Sequence, residues 1–290
     1  SAQYYALAGY RVLLIDTDAQ GTLSFFMGYR PDIDTNYMNT IAPFLLFDEQ
    51  LEEQGHDPDS LAYAIKKTHW PNIDLIPGNL SLSLIDTSFP IALAGFSTID
   101  EKQELLERLS AGVLSVASDY DLVIIDGTPS LNVLTISTLM ACDHIIVPCP
   151  SQMADFASTI QFFTNLKNSV KTFVAAGMEV NFPEYHVLIT KFASAKYSNW
   201  MSSIIRKTFA DRTLQNVVKK TDEVGKAGTQ ITTIYERQPS KVKNNRSLNT
   251  AMTMFNDVFG EIENKIIKPF FDHETKIGAT EAMLREEGVL

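Results

Sequence analysis

Two acidic side chains follow directly on an apolar run near the start of the chain. Residues 12–15 (VLLI) are all large aliphatic residues, Asp16 comes next, and Asp18 follows two positions later. An uninterrupted apolar run of this kind is typical of a parallel-sheet strand that is buried on both faces. Ligands of open parallel sheets bind beyond the carboxyl ends of the strands. Asp16 and Asp18 are therefore predicted to lie in a functional site.

A second apolar run ends in the same way. Residues 122–125 (LVII) precede Asp126, and the small residues Gly127 and Thr128 then allow another group to approach the backbone. One such acid often caps a turn or the next helix, and this alternative stays open for each of them. Three acids after two strands favour a site for Mg²⁺ and phosphate, because Mg²⁺ keeps most of its waters and takes few carboxylates.

The elements that must position these acids alternate along the chain. Strands alternating with helices predict right-handed crossovers and an α/β fold, a doubly wound, mostly parallel sheet with helices on both faces. We expect one domain over residues 1–290, because no linker or repeat interrupts the pattern. The predicted strands are 12–15, 73–76, 122–125, 145–147, 187–190 and 214–218, and the predicted helices are 60–67, about 97–116, 131–141, 153–174 and 198–209.

Composition excludes some classes of function. No apolar run approaches the roughly 18 residues that a membrane-spanning helix needs. Cys142 and Cys149 fit neither a metal motif nor a disulfide framework, and are predicted to be buried free thiols in a reducing cytoplasm. The five histidines show no ligand spacing along the sequence.

Charge is unevenly distributed. The whole chain carries −11, yet residues 185–250 contain twelve Lys or Arg against four acidic residues. A basic segment in an acidic protein is a candidate surface for a polyanion, although a solvated basic face is the alternative. The residues chosen for contact with DNA are Lys191, Lys196, Arg206, Lys207, Lys219, Lys220, Arg237, Lys241, Lys243 and Arg246.

Residues 11–21 (RVLLIDTDAQG) together with 120–131 (YDLVIIDGTPSL) resemble the ParA family of partition ATPases, which have a deviant P-loop. The resemblance continues through residues 75–80 (LIPGNL), 147–155 (VPCPSQMAD), 187–192 (VLITKF) and 233–236 (TIYE). It covers nearly the whole chain and is strongest to the larger plasmid ParA proteins, including the type encoded beside a replication initiator.

The resemblance implies ATP or ADP with Mg²⁺ as cofactors and assigns roles to individual residues. Asp18 would orient the attacking water and Asp16 would support the magnesium sphere, while Asp126 would hold a magnesium-bound water. Pro129, in the loop after Asp126, is the second of two prolines that the family usually has there. Thr190 and Lys191 follow a strand whose end contacts the nucleotide in the family.

The family's phosphate loop is missing from these residues. No G-x-x-x-x-G-K-[S/T] occurs, and Gly225-Lys226-Ala227 lacks the upstream glycine and the hydroxyl. In the family this loop and its strand lie directly upstream of a helix like the one expected at residues 1–9. We therefore expect the native protein to carry the loop before Ser1. The alternative is a non-catalytic DNA-binding adaptor that has lost it.

The resemblance also implies partners. These are a second copy of the chain in a homodimer, non-specific double-stranded DNA, and a ParB-like centromere-binding protein, in the nucleoid-associated cytoplasm of a bacterium. A MinD-like membrane-positioning ATPase would need a basic amphipathic tail. Residues 280–290 carry three Glu against one Arg, so no membrane partner is expected.

Overall fold

The computed structural model describes residues 1–128, 130–237 and 245–270. Six strands and eleven α-helices lie in these ranges, with short 3₁₀ turns between them. The strands are β1 (Val12–Asp16), β2 (Lys66–Lys67), β3 (Ile73–Ile76), β4 (Leu122–Asp126), β5 (His144–Pro150) and β6 (Glu184–Thr190). The helices are α1 (Ala2–Leu7), α2 (Thr22–Phe26), α3 (Ala42–Leu45), α4 (Gln50–Glu53), α5 (Ser83–Gly95), α6 (Ile99–Val116), α7 (Val133–Met140), α8 (Met153–Ala175), α9 (Lys196–Phe209), α10 (Glu223–Gly228) and α11 (Asn245–Ile262).

Strand β1 lies inside a four-stranded sheet of order β2-β3-β1-β4. It runs parallel to β3 and to β4, and only the two-residue β2 is antiparallel. All five residues of β1 are buried, which confirms the prediction of a strand covered on both faces. The mostly parallel α/β architecture is confirmed with it.

Helices pack on both faces of β1 because its side chains alternate. Val12 and Leu14 belong to one hydrophobic cluster, which includes residues of α1 and α11. Leu13 and Ile15 belong to another, which includes residues of α5 and α6. Successive side chains of a strand point to opposite faces, so this one apolar run contributes to two hydrophobic cores.

Strands β5 and β6 form a separate parallel pair, so the hydrogen bonding divides the predicted sheet into two. Residues 145–147 were predicted to be buried, but they are only half-buried. Residues 122–125 of β4 are half-buried as well. The reason is that, among the described residues, β4 and β5 are each hydrogen-bonded to a strand on one side only.

Two predicted elements are wrong. Residues 60–67 form only a 3₁₀ turn at Leu61–Ala64, because Lys66 and Lys67 pair with β3 and Lys67 forms an ion pair with Asp74 at 2.8 Å. Residues 214–218 do not form a regular strand. Their backbone makes only isolated hydrogen bonds with β6 in the described structure. A continuous ladder does not form, because the amides of Gln215 and Asn216 donate to the Glu261 carboxylate instead, at 2.6 and 2.7 Å.

No helix within the described ranges combines the length and the apolar character that crossing a bilayer requires.

Candidate functional site

Asp16 ends β1 and is held by protein donors on both carboxylate oxygens. Its Oδ2 accepts from the backbone N–H and the hydroxyl of Ser24, at 2.9 and 2.7 Å. Its Oδ1 accepts from the backbone N–H of Asp18 at 3.2 Å. Asp16 is fully buried, so these bonds offset its desolvation. The side chain therefore fixes the loop that carries Asp18.

Two glycines let the backbone close around this carboxylate. Gly78, just after β3, donates its N–H to the Ser24 hydroxyl at 2.8 Å. A Cβ on Gly78 would lie 2.6 Å from the Asp18 carbonyl oxygen and 2.9 Å from Cγ of Asp16. Gly21 has φ of +58°, and a Cβ there would lie 2.6 Å from the Gly78 carbonyl oxygen. Only glycine allows this close approach.

Asp126 lies beside Asp16 at the carboxyl end of the neighbouring strand. The two residues are register partners in the β1–β4 ladder, which places their Cα atoms about 4.8 Å apart. Thr17 joins the strand ends, because its N–H and its hydroxyl both donate to the Asp126 carbonyl oxygen, at 3.1 and 2.7 Å. No described residue donates to the Asp126 carboxylate, which reaches solvent.

The three acids form one region of negative charge. Desolvation raises the pKa of Asp126 above its ordinary value, and the charges of Asp16 and Asp18 raise it further. Desolvation also raises the pKa of Asp16, although the bonds from Ser24 and from the Asp18 amide act in the opposite direction. A cation near these strand ends would offset the repulsion.

The arrangement of the three carboxylates determines how this site could hold Mg²⁺. Asp16, Asp18 and Asp126 do not converge into a closed cage with all ligand atoms within 4.8 Å, in the part of the chain that the structure describes. Asp126 offers a carboxylate that accepts no hydrogen bond from any residue the structure describes, whereas both oxygens of Asp16 accept hydrogen bonds. An open, one-carboxylate arrangement fits Mg²⁺, which keeps several waters and takes other ligands from phosphates. The Asp16 carboxylate therefore holds the Asp18 loop, and Asp126 is the acid that is open to an ion.

Thr190 and Lys191 lie elsewhere, at the carboxyl end of β6. The Thr190 carbonyl accepts from the N–H of Ser151 at 3.0 Å, which ties the ends of β5 and β6 together. Lys191 is exposed and has φ of +49°, a left-handed conformation that is uncommon outside glycine. No described hydrogen bond or ion pair joins either residue to the three acids. The third nucleotide-contact candidate, Pro129, lies outside the described residues.

The ten candidate DNA contacts fall into three groups. Lys241 and Lys243 lie outside the described residues. Arg206 and Arg237 are engaged within the protein, since Arg206 donates to the carbonyls of Leu214 and Gln215 and Arg237 pairs with the buried Glu223. The exposed candidates are Lys191, Lys196, Lys207, Lys219, Lys220 and Arg246.

Sequence reasoning missed Ser24 and Gly78 as parts of the site. Gly78 lies within residues 75–80 (LIPGNL), which contribute to the family resemblance without indicating a site residue. Ser24 lies in a short helix that begins after Gly21, and a hydroxyl eight residues after Asp16 has no recognisable spacing. Only the folded chain brings both of them to the Asp16 carboxylate.

Comparison with known proteins agrees with the fold and the motifs. The family model of the AAA domain matches residues 2–180. Protein SopA of Escherichia coli (strain K12) is 34% identical over 271 residues, which are 92% of this chain and 66% of SopA. The chain therefore spans slightly less than two thirds of that relative's length.

Two solved structures resemble the fold at low identity. A structure described as "Partition Protein" has a TM-score of 0.59 and 19% identity, covering 87% of this chain and 64% of that one. Cobyrinic acid a,c-diamide synthase from Mycobacterium smegmatis, solved with a bound ATP analog and magnesium, has a TM-score of 0.61 and 21% identity, covering 91% and 87%. The family match and the identity to SopA go further than fold: the chain belongs to the AAA domain family and is a ParA-type protein.

Proposed function

We propose that this protein is an ATPase that hydrolyses ATP to partition plasmid DNA. The observation that carries the proposal is that Asp16, Asp18 and Asp126 lie together at the carboxyl ends of two adjacent parallel strands. This is the edge where open parallel sheets bind ligands. The similarity to SopA supports the same conclusion.

The three acids have separate tasks in the proposed reaction. A bound Mg²⁺ supplies charge stabilisation for phosphoryl transfer. Asp126 provides the exposed carboxylate that would hold the ion through one of its waters. Asp18 orients the water that attacks the γ-phosphate, and Asp16 keeps the Asp18 loop in place through the amide bond at 3.2 Å. Thr190 and Lys191 would contact the nucleotide from β6, as would Pro129 from its loop.

The proposed partners are a second copy of the chain, double-stranded DNA and a ParB-like protein. The exposed basic residues of segment 185–250 would contact DNA phosphates without reading sequence, so binding should weaken steeply with salt. The ParB-like protein would stimulate hydrolysis. The proposed location is the bacterial cytoplasm, on the nucleoid.

The test is ATP hydrolysis by the full-length protein, measured with and without DNA and the ParB-like protein encoded beside it. Weak turnover that rises several-fold when both are present supports the proposal. The second candidate is a non-catalytic DNA-binding adaptor, because the exposed basic residues of segment 185–250 could bind DNA without hydrolysis. Salt-sensitive DNA binding with no turnover under any combination would establish the adaptor instead.

Arg206 and Lys207 are adjacent basic residues with different surroundings, since Arg206 binds backbone carbonyls and Lys207 is exposed. Lys207→Glu should weaken DNA binding and reduce the slope of log affinity against log salt by about 1, because an exposed phosphate contact is lost. Arg206→Glu should instead lower the free energy of unfolding by about 1.5–3 kcal/mol, because two carbonyls of residues 214–215 lose a charged donor. Fluorescence anisotropy over a salt series and thermal unfolding measure the two effects.

The matched control is Lys167→Glu, which reverses another exposed lysine, on α8 and outside the basic segment. It should leave the salt slope unchanged. A slope that changes equally in Lys167→Glu and Lys207→Glu would show that net charge, rather than this surface, governs DNA binding.

A further inference from the structure

Three potential metal ligands meet at the amino ends of β5 and β6. His144 and Glu184 are register partners in the parallel ladder, and His186 lies two residues further along β6. Residues two apart on a strand point to the same face. One ligand atom from each of these three side chains lies within 4.8 Å of the others. The group lies outside the site of the three acids.

Three ring nitrogens of this group have no hydrogen-bond partner within the described ranges. His186 is 6% exposed, and neither of its ring nitrogens has a hydrogen-bond partner among the described residues. Nδ1 of His144 is buried and lacks a partner in the same part of the chain. The two rings lie with centroids 5.6 Å apart, tilted by 32°. Buried polar atoms left unpaired are costly and require a physical explanation.

The surroundings of His186 favour its neutral form, which is the form that binds a metal. Burial lowers the pKa of His186 below its ordinary value, and Lys265, His144 and Arg212 lower it further, whereas the negative charge of Glu184 raises it. Lys265 and Arg212 each contact another group of the protein. Lys265 donates to the Asp211 carbonyl at 3.2 Å, and the Arg212 guanidinium lies 5.0 Å from the centre of the Tyr185 ring.

We propose that His144, Glu184 and His186 bind one divalent transition-metal ion of the Zn²⁺ class. Two imidazoles and one carboxylate suit Zn²⁺, Co²⁺ or Ni²⁺, whereas Mg²⁺ and Ca²⁺ prefer oxygen ligands alone. Ligands held at about 2.0–2.1 Å around a tetrahedral ion lie about 3.4 Å apart. The exposed Glu184 side chain can move to close the remaining distance. Three protein ligands leave a fourth position for water.

The proposed ion lies at the opposite end of the β5–β6 pair from Thr190 and Lys191. Seven residues of β5 or β6, at about 3.3 Å each, put roughly 20 Å between this group and the carboxyl end of the pair at Pro150 and Thr190. The His144 ring also packs edge-on against Phe270, with centroids 5.6 Å apart. A bound ion would therefore join β5 to β6 beside the segment that follows α11, and would stabilise the folded state by an amount that rises with the logarithm of the free ion concentration above its Kd.

The experiment titrates Zn²⁺ into the full-length protein, without a histidine tag, against a chromophoric chelator. Excess Mg²⁺ is present throughout to saturate the carboxylate site. We expect one Zn²⁺ per chain and a Zn²⁺-dependent rise in Tm. Glu184→Gln, which changes an exposed side chain, should weaken Zn²⁺ binding roughly 100-fold without altering the Tm of the metal-free protein. Co²⁺ should give a visible absorption band that His186→Ala abolishes.

Two matched variants complete the test. His56→Ala removes an exposed imidazole and Glu179→Gln an exposed carboxylate, both outside the group, and both should bind Zn²⁺ as the parent does. If the parent protein binds no Zn²⁺, or if Glu184→Gln and His186→Ala bind it as tightly as the parent, the proposal is wrong. Neither result depends on ATP hydrolysis, so it stands or fails separately from the proposed function.

Discussion

Asp18→Ala is expected to lower ATP hydrolysis by about 100-fold or more while leaving ATP affinity unchanged, as expected for a group that orients the attacking water. Asp18 is half-buried, and within the described residues its Oδ1 accepts one hydrogen bond, from the N–H of Gln20 at 2.9 Å. No described residue donates to its Oδ2, so that oxygen is available to water. The measurement is steady-state turnover beside nucleotide affinity, in the full-length protein with DNA and the ParB-like protein present.

Asp16→Ala is the contrasting variant. The buried N–H and hydroxyl of Ser24 and the N–H of Asp18 would all lose their acceptor. Each unsatisfied buried donor costs about 1–3 kcal/mol, so this variant should lose stability together with activity. Asp18→Ala should instead keep the Tm of the parent. If turnover persists in Asp18→Ala, Asp18 does not take part in the mechanism. If Asp18→Ala and Asp16→Ala lose Tm equally, the role of Asp18 is structural.

The parts of the site that follow from local sequence were predictable. An apolar run that ends in an acid determines both the burial of β1 and the place of Asp16, because strand formation and core packing act on the same residues. The Asp126 position follows by the same reasoning, although β4 proved only half-buried. The motifs carried the family resemblance, which the match to the AAA domain and SopA confirms.

The parts that depend on tertiary contacts could not be predicted. Nothing in the sequence separates the carbonyl-bound Arg206 from the exposed Lys207 beside it. His144 and His186 have no motif spacing, and only the register of two parallel strands brings them together. Residues 214–218 have the composition of a strand, yet a carboxylate on α11 takes two of the amides that a β ladder would need.

Gly78→Ala is expected to destabilise the protein and disable the site at once. The new Cβ would lie 2.6 Å from the Asp18 carbonyl oxygen and 3.0 Å from that of Asp16. Both obstacles are backbone atoms, so relief requires the loop itself to move. Overpacking of this kind costs about 2 kcal/mol or more, which lowers Tm by roughly 4–8 °C in a chain of this size. The displaced loop carries Asp18, so turnover should fall as well; calorimetry and steady-state hydrolysis measure the two losses.

Gly127→Ala is the matched control for Gly78→Ala. Gly127 also follows a strand that ends in the site, but a Cβ there would meet no described atom within 4 Å. Its free energy of unfolding should change by no more than about 0.5 kcal/mol, as is usual for surface substitutions. Because both substitutions remove one glycine from a strand end, the shared change in backbone entropy cancels between them. A Gly78→Ala variant as stable and as active as Gly127→Ala would contradict this prediction. It would show that the Asp18 loop can shift without loss of stability, and that its close contact with Gly78 does not position the Asp18 carboxylate.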